Sequence, residues 1–318
     1  MTTKEKLLAL LEDSKGTFFS GEEIARTLQV SRAAVWKAVN ALREDGYTID
    51  AATNKGYRLS PDSDILSPQG IRRFLKPEYR DLDLTVLTTA PSTNALVREK
   101  ANQGRPEGCI IIACEQTDGR GRYGRQFFSP VDSGVYLSLL LRPTAYSPQQ
   151  ATCLTAAAND IFLHGKKVCG ILTEAAVGLE TGTLNYMVLG AGVNLYPPAE
   201  GFPEEIQSIA GSVLERSCPE AKNRLVGEFL NRFWDFYALP ECRAYLEDYR
   251  ARSLAIGRNV TVLSAGKAVS AYAYGIDDDF RLLVRYDSGK TEALSYGEIR
   301  IQLDADKPLT NTRSTLYF

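Results

Sequence analysis

Gln116 to Pro130 read QTDGRGRYGRQFFSP, with three glycines and three arginines packed between Gly119 and Arg125. Gly119-Arg-Gly121-Arg-Tyr-Gly124 fits G-x-G-x-x-G, the pattern of a dinucleotide-binding turn. Such a turn opens a helix whose N-terminus faces a pyrophosphate, with an acidic residue about 20 positions on. Here Pro-Val-Asp-Ser-Gly and the strand-like GVYLSLLLR follow instead, and leucines stand near position 140. No Gly-Lys-Ser/Thr follows either, which removes the P-loop. What remains is chemical. Glycines let backbone amides approach a ligand closely, and Arg120, Arg122 and Arg125 offer planar charged forks suited to phosphate or carboxylate. The stretch is read as an anion cradle that orders around its ligand, the alternative being a solvated Arg-Gly loop or one that touches RNA.

The surrounding pattern places this loop between strands. Runs at Leu82–Leu87, Cys109–Glu115, Val135–Leu141, Gly170–Thr173 and Tyr186–Val193 alternate with helical segments, which is an α/β domain. Ahead of it, apolar residues recur at helical spacing in Lys6–Leu11, Gly21–Leu28 and Ala33–Leu42. Ser31 is a natural N-cap for the third helix, from which Arg32, Trp36 and Lys37 project. GYTIDAATNKGYRLS then alternates around Asn54-Lys55-Gly56 as a hairpin, completing a winged helix-turn-helix. Residues 1–60 carry nine basic and eight acidic side chains, so DNA binding rests on Ser31, Arg32, Trp36, Lys37, Lys55 and Arg58 in the third helix and the wing. The alternative is a three-helix interaction module with Trp36 in its core. PDSDIL at 61–66 reads as a linker.

A length of 318 residues is about two domains at roughly 150 residues each. The hydrophobic content of 44%, charged content of 24% and net charge of −2 are ordinary for a globular chain, so any contact with nucleic acid must be local. No run of about 18 apolar residues occurs, and MTTKEKLLALLEDSKG is an amphipathic helix without a signal core, so no membrane association is expected and the expected location is cytoplasmic. Six cysteines fall singly and there is one histidine, which argues against a zinc site and for buried, reduced thiols. No metal ligands are assigned. Beyond the α/β region, Lys222–Ala238 is a helix with an aromatic stripe of core residues, Phe229, Phe233, Trp234 and Tyr237. From Ile256 short alternating strands with Asp-rich turns suggest a small SH3-like barrel.

Four further segments carry chemistry. Ser92-Thr93-Asn94 offers short donors and acceptors just after a strand, suited to a small polar head such as a ureido ring, and Gln116 offers the same from its own strand end. Lys166 and Lys167 precede the apolar Val-Cys-Gly170-Ile-Leu, and Gly190-Ala-Gly192-Val-Asn194 closes another strand. In this order behind a winged helix, these residues and the Gly119–Arg125 loop resemble the bifunctional biotin protein ligases that also act as biotin operon repressors.

The resemblance spans residues 1 to about 303 and implies a multidomain α/β (α+β) protein: a winged helix-turn-helix at 1–62, a class II synthetase-like catalytic domain at 67–253, an SH3-like domain at 254–303 and a tail at 304–318. It further implies ATP-dependent activation of biotin with Mg²⁺ to biotinyl-5′-adenylate. The biotinyl group then passes to a lysine of the biotin carboxyl carrier protein of acetyl-CoA carboxylase. Ser92, Thr93, Asn94 and Gln116 would hold biotin; Gly119, Arg120, Gly121 and Arg122 the carboxylate and phosphate; Lys167 the developing charge, with Arg122 and Lys167 catalytic and Gly170 and Asn194 lining the site. Operator DNA and a homodimer promoted by the adenylate are the implied regulatory partners. Plainer readings stand beside these: Lys166 and Lys167 as solvent-facing hairpin residues, and Ser92 and Asn94 as an N-cap. The sequence departs from the family before Asn159-Asp160, where CLTAAA replaces the usual Lys-Trp pair and a segment of order 20 residues by typical element lengths is missing. Phe127 also stands where the family has tryptophan. Two other function classes remain open: a sensor that binds an anion without catalysis, and a lipoate or octanoyl transferase relative.

Overall fold

The computed structural model describes residues 1–121, 124–143, 160–177, 184–238, 246–264, 267–294 and 298–301. The expectations for Arg122, for the altered segment before Asn159, for Cys153 and Cys242 and for the 304–318 tail lie outside these residues.

Three helices, α1 (Thr3–Asp13), α2 (Gly21–Leu28) and α3 (Arg32–Glu44), open the chain, each started by a hydroxyl that takes an otherwise open backbone amide. Thr2 and Glu5 form a reciprocal capping box on α1. Leu7, Leu11, Ile24, Val35, Val39 and Leu42 are fully buried between them. The hairpin β1 (Ile49–Ala52) and β2 (Gly56–Leu59) follows, with Ala52 opposite Gly56. Gly56 has φ +94, and a Cβ there would collide with Phe19 O, so the turn needs glycine.

The central sheet has the order β3 (Asp83–Leu87), β4 (Cys109–Ala113), β5 (Gly134–Leu141), β8 (Leu184–Asn194), β7 (Lys166–Val177), β6 (Ile161–Leu163). Only β3 and β4 pair in parallel; the rest are antiparallel. Strand β7 extends well past the expected Gly170–Thr173 at both ends, and the lysines at its start stand in the strand. Two helical layers explain the continuous apolar runs in β4 and β5. Ile110, Ile112, Leu137, Leu139 and Leu141 face α4 (Pro68–Phe74) and α6 (Ala221–Tyr237), where Val226, Leu230 and Trp234 complete the core. Cys109, Ile111 and Leu140 face α5 (Thr93–Asn102) on the other side. The expected helical stripe packs as read, with Phe229, Phe233 and Tyr237 stacked along α6. After α7 (Leu246–Arg252), strands β9 (Arg258–Ser264), β10 (Lys267–Ile276), β11 (Leu282–Tyr286), β12 (Thr291–Leu294) and β13 (Glu298–Ile301) form an antiparallel sheet of order β12-β11-β10-β9-β13. Cys109 and Cys169 are buried as expected, whereas Cys218 is exposed at the turn before α6.

The expected linker is a packed connection. Asp64 accepts from Lys222 N at 2.9 Å, so it caps α6, whose own N-cap residue Glu220 makes no side-chain capping bond. Tyr196 Oη donates to Asp64 Oδ2 at 2.5 Å. Asn223 brackets the backbone, donating to Ile65 O at 2.8 Å and accepting from Ser67 N at 3.0 Å. Beside it, buried Glu12 of α1 pairs with Lys15 at 3.7 Å and Arg73 at 3.4 Å, and Arg73 also pairs with Glu220. Within PDSDIL, Asp64 and the Ser63 carbonyl, which accepts from Lys15 at 2.8 Å, therefore serve protein partners, while Asp62 faces water.

Burial raises the Asp64 carboxyl above its ordinary range, against the Tyr196 hydroxyl and the Lys222 amide, which lower it. A carboxyl raised on folding weakens stability as pH rises past its unfolded value, and loss of the hydroxyl raises it further. Tyr196→Phe is therefore expected to cost about 1–3 kcal/mol at neutral pH, with the deficit shrinking as pH falls toward the ordinary carboxylate range. Denaturant unfolding of the full chain at several pH values measures this.

Candidate functional site

The α5 face of the sheet carries a trench without side chains. Ser138, Gly190 and Leu172 form one rung across β5, β8 and β7, and Tyr136, Gly192 and Gly170 form the next. Alternation turns Tyr136 and Ser138 to this face while Leu137 and Leu139 enter the opposite core.

Each rung receives one side chain from outside the sheet. A Cβ on Gly190 would overlap the Asn94 carboxamide, which fills the first rung. The Asn94 oxygen lies 2.6 Å from Ser138 Oγ, and its nitrogen donates to Glu174 Oε2 at 2.8 Å and toward Leu172 O at 3.4 Å. Cβ atoms on Gly170 and Gly192 would lie 2.7 and 2.5 Å from the Phe127 ring, which fills the second rung. That ring meets Tyr136 edge-on at 6.3 Å, and Lys167 Nζ stands 6.0 Å from its centre.

The N-terminus of α5 lies at the head of the trench. Ser92 caps the helix through Ala95 N at 3.5 Å, so its capping role is realised. Thr93 donates its backbone N–H to Gln116 Oε1 at 2.9 Å, and its hydroxyl lies 3.1 Å from the same oxygen. Gln116 Nε2 donates to Ser129 Oγ at 3.1 Å, leaving its second N–H for another acceptor. The glycine-rich loop folds back on itself: Gly121 N donates to Arg125 O at 2.7 Å and Phe127 N to Gly119 O at 2.9 Å. Arg120 pairs with Asp118 at 2.8 Å, both well exposed.

Lys167 is half-buried and pairs with Asp160 at 2.8 Å, so it is held in place rather than waving into solvent. Its backbone is clamped by the segment Ile209–Gly211, and Asn194 Nδ2 donates to Gly211 O at 3.1 Å, tying that segment to the end of β8. Burial pushes the adjacent Cys169 thiol up to about 12, which leaves it inert as a nucleophile. The chain of contacts thus joins Thr93, Gln116, Ser129, Phe127, Gly170 and Lys167. Ser138 and Glu174 were not singled out from sequence. A lone hydroxyl inside GVYLSLLL and a lone carboxylate inside CGILTEAAV were the available signals.

On the winged helix, Ser31 caps α3 through Ala34 N at 3.2 Å, and Arg32, Trp36 and Lys37 are exposed. Trp36 is 58% exposed, which excludes the core alternative. In the wing, Lys55 is exposed, and Arg58 is held by Asp50 at 2.9 Å and by the Phe18 ring at 4.7 Å.

Known proteins fit this arrangement. The profile described as an HTH domain matches residues 3–58, that of the biotin/lipoate A/B protein ligase family matches 86–157, and that of the biotin protein ligase C-terminal domain matches 255–301. The bifunctional ligase/repressor BirA of Bacillus subtilis (strain 168) is 32% identical across 91% of this chain and 95% of its own length. The protein of the same name from Escherichia coli (strain K12) is 28% identical across 95% and 98%. In fold, the biotin protein ligase of Aquifex aeolicus, solved with biotin and ATP, aligns with a TM-score of 0.54 at 20% identity, covering 70% of this chain and 99% of that one. The chain belongs to the biotin protein ligase family, in its bifunctional ligase/repressor branch.

A methyl group on the trench floor displaces Phe127 and loosens the loop it anchors. Gly192→Ala is expected to accelerate trypsin cleavage within 116–130 severalfold without altering cleavage elsewhere, read by timed digestion and mass spectrometry.

Proposed function

We propose that the protein joins biotin to a lysine of the biotin carboxyl carrier protein of acetyl-CoA carboxylase through biotinyl-5′-adenylate, and represses biotin genes through its winged helix. The observation that carries the ligase half is the Thr93–Gln116 pair at the head of the glycine trench, connected through Phe127 to Lys167. A ureido ring has N–H donors and a carbonyl acceptor; Thr93 and Gln116 supply a hydroxyl and a spare amide N–H in reach of each other. Ser92 and Asn94 fix the helix end and the trench wall that position them.

Activation brings the biotin carboxylate against the α-phosphate of ATP, two anions that repel. Catalysis then consists of positioning and charge screening, supplied by Arg120 and Arg122 of the loop, the close backbone approach that Gly119 and Gly121 allow, and Lys167. Arg120 and Lys167 rest on Asp118 and Asp160, so the phosphate takes over cations that are already oriented. Among the described residues no cluster of three or more histidine, cysteine, aspartate or glutamate side chains forms a metal site. Mg²⁺ would arrive with the ATP phosphates and neutralise their charge. Closure of the 116–130 loop would keep water from the mixed anhydride until the carrier lysine arrives.

For the repressor half, Arg32, Trp36, Lys37, Lys55 and Arg58 form the surface toward operator DNA, with Ser31 orienting the helix start. Adenylate-promoted homodimerisation would place two such surfaces on paired half-sites, and carrier protein would compete for the surface it creates. No helix among the described residues is long and apolar enough to cross a membrane. The proposed substrates favour a cytoplasmic reaction.

Incubation with biotin, ATP and a purified biotin carboxyl carrier domain is expected to label the carrier. Lys167→Ala and Arg122→Ala should each lower the rate about 100- to 1,000-fold. A folded chain that neither labels the carrier nor exchanges pyrophosphate into ATP is a sensor rather than a ligase. Binding to a duplex from the promoter of the host's biotin synthesis genes should require biotin and ATP. Lys37→Ala should weaken that binding and reduce its log-log salt slope by about one.

A further inference from the structure

A continuous hydrogen-bond chain runs from the protein surface into the trench, and its protons can be counted. Arg98 pairs with Glu174 at 3.2 Å. Glu174 accepts from Asn94 Nδ2 at 2.8 Å, and a carboxylate offers only acceptors, so the Asn94 nitrogen must face it and the Asn94 oxygen must face Ser138. Ser138 is fully buried, with its Oγ 2.6 Å from Asn94 Oδ1 and 2.7 Å from Thr93 Oγ1. One hydroxyl has one proton, and Asn94 Oδ1 has none to give. Ser138 therefore donates to Asn94, because the reverse would press two lone pairs together at 2.6 Å. The 2.7 Å contact then requires the Thr93 proton, which outranks the longer 3.1 Å approach to Gln116 Oε1. Gln116 Oε1 keeps the Thr93 backbone N–H at 2.9 Å.

We propose that Glu174, acting through Asn94 and Ser138, fixes the direction of this chain so that the Thr93 hydroxyl meets the ligand only as an acceptor, making the site select a ligand N–H at that point. Glu174 and Ser138 are thus positioning residues. The proposal rests on the reading of Thr93 as a biotin-head residue. A freely rotating threonine accepts an oxygen or an N–H equally; a threonine whose proton is committed rejects the oxygen, since two acceptors then face each other without a proton.

The test is isothermal titration of the full chain with biotin and with the two cyclic carbamates in which one or the other ureido N–H is replaced by oxygen. The unaltered chain should bind one carbamate roughly 100-fold or more worse than biotin. Ser138→Ala cuts the chain and frees the Thr93 proton, so the ratio should fall at least about tenfold, with KM for biotin raised and kcat little changed. Glu174→Lys presents donors to Asn94, turns its carboxamide and reverses the chain, so the ratio should fall further or invert. Glu174 is partly solvent-exposed, so this variant provides the decision where the buried one does not fold. A ratio unchanged within about twofold in a folded variant overturns the proposal while leaving the ligase reading intact. Failure of the unaltered chain to bind biotin overturns the ligand reading itself.

Discussion

The absence of side chains at Gly170, Gly190 and Gly192 is the constraint on which the rest of the site depends. These three residues sit on adjacent strands at matched register, so their missing Cβ atoms add up to one trench rather than three dimples. Its walls are whatever reaches in from above, which is why α5 must begin at Thr93 and why the loop must return over the sheet at Phe127. The cost is borne in strand formation, since glycine packs poorly and loses more backbone freedom than other residues. The buried runs of β4 and β5 on the opposite face offset it, and the trench is therefore cut into a sheet whose other face lies in the buried core.

The electrostatic arrangement has the same economy. Arg120 and Lys167 each rest against a single exposed carboxylate, Asp118 and Asp160. Exposed pairs of this kind contribute little to stability, so exchanging one carboxylate for a ligand anion costs little. The cations are thereby held in orientation without being locked. Glu174 differs: it is engaged by both Asn94 and Arg98, on the polar side of the trench, and serves geometry rather than charge balance.

Much of this was legible in the sequence, for physical reasons that can be named. The glycine-arginine loop was separable from a nucleotide fold because a strand rather than a helix follows it. The winged helix was legible from serine caps, helical periodicity and the Asn54-Lys55-Gly56 turn, all local signals. Ser92, Thr93, Asn94 and Gln116 were legible as a polar group at strand ends, but their mutual bonds were not, since they join residues far apart in the chain. Ser138 was hidden because β5 is buried on both faces and its period of two leaves no polar stripe to interrupt. Asp64 was misread because composition alone cannot distinguish a polar residue facing water from one capping a distant helix.

That long-range cap has a consequence for the modularity of the chain. From sequence the winged helix reads as a detachable module joined to an enzyme, with a boundary near residue 62. A cut there would separate Lys15 from Glu220 and Glu12 from Arg73, and one placed after Asp64 would also part that residue from α6. The seam is held by buried polar bonds whose partners lie on both sides of it. Recombination that exchanged this reader for another would have to bring the matching seam with it, so the two halves are bound to evolve as a pair.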